Sequence, residues 1–198
     1  MFDVLHLVVR WFHVIAGITW IGFLYFFNWV NPHLQKDLGD NAANVNPHLM
    51  PRALFWFRWG AMITFLMGLA LYTINYMYTP GFGFGPNDLF RSSRNAWILM
   101  GMAFGTLMWF NVWFIIWPAQ KKLLSKTAGD QAAVLKARAT LASKINTYSS
   151  GPMLFGMLGA PHFTEMKAPV FIGVILLGFA AIGSAYAHAG RVGLEFKK

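Results

Sequence analysis

Residues 10–33, RWFHVIAGITWIGFLYFFNWVNPH, decide the class of fold. The run is apolar for long enough to cross a hydrocarbon core of ~30 Å as one helix. Yet it opens with a cation, Arg10, and one turn later an imidazole, His13. Polar groups at such depth are costly, so they point to function before anything else.

The rest of the chain has the same character. It has 198 residues, 57% hydrophobic, 17% aromatic and 12% charged, with a mean hydropathy of +0.46. A soluble domain carries about 25% charged residues. The expected fold is therefore all-α, a polytopic membrane helical bundle forming one domain over 1–198. Spans are expected at about 4–30, 54–78, 95–117, 145–163 and 168–189, each helical because lipid cannot satisfy open backbone groups. The alternation of a membrane barrel is absent.

Charge sets the orientation. The basic segment 119–144 holds Lys121, Lys122, Lys126, Lys136, Arg138 and Lys144 against Asp130. Lys36, Arg52, Arg191, Lys197 and Lys198 fall on the same side, and Arg10, Arg91, Arg94 and Lys167 on the other. The bias puts the N-terminus outside and the C-terminus in the cytoplasm of a multi-pass protein of the bacterial inner membrane. The net charge of +9 then reads as topology and attraction to an anionic lipid bilayer, with no nucleic acid partner. The first span reads as retained, since no cleavage pattern follows it. Within the basic segment, DQAAVLKARATLASKI is expected to be helical, and TPGFGFGPNDLFRSSRN to be a turn-rich outer loop. The absence of cysteine excludes disulfides, thiolate zinc, iron–sulfur clusters and covalent c-type haem.

Six histidines remain to be placed. Imidazole is the usual axial ligand of b-type haem, and a haem between two helices needs one from each. His13 on the first span and His162 at the end of the fourth are predicted at similar depth, which makes them the expected iron ligands. Arg10 is the expected propionate contact, and Gly17, with Gly156 and Gly159, gives a flat ring room. His188, with Tyr186 and Arg191, is a candidate for a second haem. His6 lies near the interface, and His33 and His48 fall in a loop. The competing reading is structural: an intramembrane histidine can simply hydrogen-bond a neighbouring helix, and Arg10 can snorkel. Asn28, Asn75 and Asn111 read as helix glue, Arg58 as reaching the headgroups, and Gly173, Gly178 and Gly183 as close-packing positions. The acids, Asp3, Asp37, Asp40, Asp88, Asp130, Glu165 and Glu195, all lie outside the apolar cores, which argues against a carboxylate-driven proton pump.

The first stretch resembles the opening helix of the membrane domain of bacterial membrane-bound urate oxidases (urate hydroxylases), with its W-x-H-x-x-x-G-x-x-W-I-G run. KINTYSSGPMLFGMLGAPHF resembles their later segment, putting Asn146, Tyr148, Pro152 and His162 on the pattern. A more distant likeness reaches membrane protoporphyrinogen oxidases and copper-import proteins. The resemblance implies a membrane redox protein. The chain departs from it by ending at Lys198 with fewer spans and no cytochrome c domain, which implies a separate electron partner, a c-type cytochrome or another carrier. The expectation is a haem b subunit carrying electrons beside other membrane subunits of a respiratory or oxidase complex, rather than a self-sufficient enzyme. Two alternatives stand: an oxidase of urate or a porphyrin precursor, and a haem-free structural subunit.

Overall fold

Helix α1 (Phe2–Tyr25) continues without a break into a π-helical turn, Phe26–Val30. The computed structural model describes residues 2–163 and 165–194; Glu195, Lys197 and Lys198, counted above, lie outside the described residues. A short helix α2 (Asn31–Leu38), with Pro32 in its first turn, stops at Gly39, whose φ of +52° reverses the chain. Helix α3 (Ala42–Tyr76) then runs back along α1. The direction is read from the contacts: His6 meets Asn75, His13 meets Thr64, and Phe27 meets Phe57.

The loop after α3 forms a two-residue β-pairing, Tyr78–Thr79 with Gly83–Phe84, and leaves Phe82 and Phe84 exposed. Ser92 caps helix α4 (Ser93–Phe110) by accepting from Asn95 N. A second π-helical turn, Asn111–Ile116, joins α4 to α5 (Trp117–Leu124). Helix α6 (Ala132–Gly159) returns antiparallel to α4, and α7 (Ala168–Ala189) packs antiparallel to α6.

Three of these helical stretches are long and apolar enough to cross a membrane: 2–76, which contains the α1–α3 hairpin, 93–124 and 168–189. Helix α6 does not join them among the described residues. Its inward face carries Asn146, Thr147, Ser149 and Ser150, all buried, and its first half carries Lys136, Arg138 and Lys144. The outward faces of the other helices are apolar and exposed, as at Ile18, Leu176 and Leu177.

Backbone contact at glycine joins α6 to both of its long neighbours. A Cβ on Gly156 would lie 2.7 Å from Gly101 N, and one on Gly151 would lie 2.7 Å from Gly178 O. Small residues allow that approach, and dispersion and polar contacts then hold helices together where the hydrophobic effect is weak. Buried polar bonds add specificity. Asn111 Nδ2 donates to Asn146 Oδ1 at 2.7 Å, and Asn146 Nδ2 donates to Met108 O at 2.9 Å. Asn28 Nδ2 donates to Ser143 Oγ at 2.8 Å, and Tyr186 OH donates to Asn28 Oδ1 at 2.8 Å. Asn28 and Asn111 each sit in a π turn, so both wide turns present an amide to α6. Beneath them Leu24, Phe57, Ala61, Met108 and Val112 form a common apolar core.

The boundaries differ from expectation in three places. Helix α3 begins at Ala42 and passes through Pro47 and Pro51, so the second helix starts twelve residues before 54. At 35 residues it is about 52 Å long, well beyond a ~30 Å core. The fourth helix starts inside the basic segment, as the DQAAVLKARATLASKI reading anticipated, and ends at Gly159 rather than 163. The third continues to Leu124. The fifth has the expected bounds.

Arg58, read from the sequence as reaching the headgroups, lies among tryptophans. Its guanidinium lies 3.8 Å from the Trp117 ring centroid, with Trp113 at 5.2 Å and Trp59 at 5.7 Å. No carboxylate pairs with it among the described residues. A cation held by three indoles ties α3 to the α4–α5 strand of the bundle. Arg58→Ala is expected to cost about 1–2 kcal/mol, seen as a lower thermal midpoint in detergent; an unchanged midpoint would show that the indoles pack as well without it.

Candidate functional site

His13 is half-buried on the α1 face that meets α3. Its Nδ1 donates to Thr64 O at 2.9 Å. That carbonyl lies within a helix, and the ring reaches it because residue 68 is glycine: a Cβ there would lie 3.1 Å from His13 Cε1. Thr64 is fixed in turn by its own hydroxyl, which donates to Gly60 O at 2.7 Å. A carbonyl can only accept, so Nδ1 carries the proton and Nε2 presents a lone pair. Nε2 has no protein partner among the described residues. An imidazole whose far nitrogen is tied to a backbone carbonyl is the arrangement that orients a metal-ligating histidine.

The imidazole lines a half-open cavity of about 50 Å³ between α1, α3, α4 and α6. Trp20, Phe65, Met102, Gly105, Met153 and Met157 make up most of the wall. Trp20 is 2% exposed, and its Nε1 has no acceptor. The cavity thus brings one imidazole and three methionines together in otherwise apolar surroundings, while the Trp20 N–H is buried in the protein.

Arg10 is exposed, and its Nη2 lies 3.2 Å from His6 Nε2. Asn75 Nδ2 lies 3.3 Å from the same nitrogen. Arg10 is therefore engaged by His6, on the side of α1 that meets the end of α3. Gly17 faces Thr64, with 3.8 Å from an added Cβ to Thr64 Cγ2. His162 is exposed in the turn after α6 and is not part of the cavity wall. The α6 side chains that do reach the cavity are Met153 and Met157. Gly156 packs against Gly101 and Gly159 against the Phe155 ring, so neither opens space beside His162. His188, His33 and His48 are exposed. No group of three or more His, Cys, Asp or Glu residues with metal-site geometry occurs among the described residues.

His13 Nε2 could hold the iron of a b-type haem, and a methionine of the wall could supply a second ligand, since histidine–methionine pairs also hold haem iron. The fold does not bring His13 and His162 to one site. At about 50 Å³ the space holds a few waters at ~10–15 Å³ each and does not enclose a macrocycle. Sequence reasoning singled out His13 but missed Thr64, Gly68, Met102, Met153 and Met157. Their link to His13 crosses between helices, where no spacing rule applies.

The family model described as urate oxidase N-terminal matches residues 1–45 and 82–189. The matched portions hold His13 and Trp20 on α1, and all of α4, α6 and α7; Thr64 and Gly68 lie in the unmatched interval. No curated protein and no solved structure matches the chain. With well over half of its residues on that model, the chain belongs to the urate oxidase N-terminal family.

Proposed function

We propose that this chain is a membrane-embedded, electron-carrying subunit of an oxidase-type assembly, with haem b held at His13. In this reading α1, α3, α4–α5, α6 and α7 all cross a bacterial inner membrane, with the N-terminus outside, as the lysine and arginine bias requires. The observation that carries the proposal is the His13 imidazole itself: anchored at Nδ1 by Thr64 O, unpartnered at Nε2 among the described residues, and lining a cavity with three methionines. The family assignment supports an oxidase-related role. The chemistry such a group supplies is a one-electron ferric–ferrous couple. The chain's residues would orient the ligand nitrogen through Thr64 O and surround it with Phe65 and the methionines. Electrons then pass to a separate carrier, such as a c-type cytochrome.

A haem-free scaffold is the second reading. It is favoured by the size of the enclosed space and by the fact that the His13–Thr64 bond already joins two helices. Haem content per chain after purification in mild detergent separates the two. About one haem per chain, with sharp α and β bands on reduction, is the expected result; no haem and no bands would leave the scaffold. Reduction of the oxidised protein by urate would add substrate oxidation to electron transfer.

A further inference from the structure

A second cleft lies away from His13, where α5 meets α6. Its floor is apolar, made of Phe114, Ile115, Pro118 and Leu135, and its rim carries Lys122 from α5 and Arg138 from α6. Its volume of about 190 Å³ is more than ten times the ~10–15 Å³ that one water needs. Both cations are exposed, and neither has an ion-pair partner among the described residues. Two like charges from separate helices facing one space repel unless an anion lies between them. Their position is also informative. Lys122 stands near the end of the apolar stretch 93–124, and the exposed Phe114 lines the same cleft.

We propose that this cleft binds an anionic phospholipid, its phosphate between Lys122 and Arg138 and an acyl chain over Phe114 and Ile115. Charge alone would suit any phosphate; the apolar floor beneath the charges selects a lipid. Basic pockets between membrane helices take anionic headgroups in this manner. The proposal depends on the membrane reading of the fold and is independent of any group at His13.

Native mass spectrometry of the delipidated protein, titrated with phosphatidylglycerol, tests it. One tightly held lipid per chain is expected, with phosphatidylcholine binding far more weakly. The double variant Lys122→Gln/Arg138→Gln should weaken phosphatidylglycerol binding roughly thirtyfold, from two basic residues near the surface. Lys36→Gln/Arg52→Gln, which removes the same charge elsewhere, should leave it unchanged. Equal losses in both pairs, or equal affinity for the two lipids, would overturn the site. So would displacement of the lipid by millimolar inorganic phosphate, which would mark a plain anion site. If the double variant fails to keep wild-type helicity, Phe114→Ser replaces it: weaker lipid binding at unchanged charge supports the site, and unaltered binding refutes it.

Discussion

A leucine at position 156 is expected to stop α6 from docking on α4. The reason is that what faces Gly156 is backbone. An added Cβ would lie 2.7 Å from Gly101 N, 2.8 Å from Gly101 Cα and 2.8 Å from Trp97 O. Side chains can swing away from a clash, but a helix backbone moves only as a body. Alanine alone forces the axes apart and should cost about 1–3 kcal/mol or more, in the range for overpacking a tight interface. Leucine adds three further carbons with nowhere to go. Separating α4 from α6 also breaks the Asn111–Asn146 bond and strands both buried amides. Gly156→Leu should therefore be recovered as aggregate or be degraded, and Gly156→Ala should fold with a clearly lowered thermal midpoint in detergent. Gly173→Ala is the matched control, because an added Cβ there meets nothing within 4 Å. If all three behave alike, the α4–α6 crossing is not where the bundle's stability lies.

Replacing His13 should remove bound haem while leaving a folded protein. The imidazole has two separable tasks, a hydrogen bond to Thr64 O and a lone pair at Nε2. His13→Ala loses both. His13→Asn keeps a side-chain N–H for the carbonyl and loses the ligand nitrogen. As a ligand, His13 predicts that either variant loses essentially all haem from the reduced spectrum. As glue, it predicts that only alanine matters, by about 0.6–1.7 kcal/mol, the range measured for interhelical bonds in a membrane. His162→Ala should keep full haem content, since that side chain lies outside the cavity wall. Met153→Ala/Met157→Ala tests the opposite side: an altered reduced spectrum with haem retained would place a thioether on the iron. Full haem with an unaltered spectrum in His13→Asn would end the proposal for that residue.

How much of this could be read from the residues varies by element. Helix α7 was legible to its ends, because Pro169 and Gly190 bracket an uninterrupted apolar run. The α1 helix was legible from the length of its apolar run, which continues through the π turn to Val30. Helix α6 was not, because its inward face is polar and its first turns are basic. Hydropathy therefore placed the boundary at the change of composition, while the helix ignores that change. The start of α3 lies before Pro47 and Pro51, a residue type that ordinarily ends a helix but here sits within a continuous one. His13 stood out as a lone imidazole in an oily run. Its assignment to His162 failed to find support because an apparent depth in a linear map is not a position. The helix stops at Gly159, and the histidine turns outward beyond it.

The polar face of α6 has a consequence for how the protein is made. The stretches 2–76, 93–124 and 168–189 are each long and apolar enough to enter lipid, whereas α6 finds an acceptor for Asn146 in Met108 O of α4 and donors for Ser143 and Asn146 in Asn28 and Asn111 of the π turns that follow α1 and α4. Both of those helices leave the ribosome earlier. Biogenesis should then be ordered, with α6 waiting at the translocon exit for its neighbours. Fused alone to a reporter it should insert poorly; co-expressed with residues 2–124 it should insert well. Efficient insertion of α6 by itself would remove the need for that order.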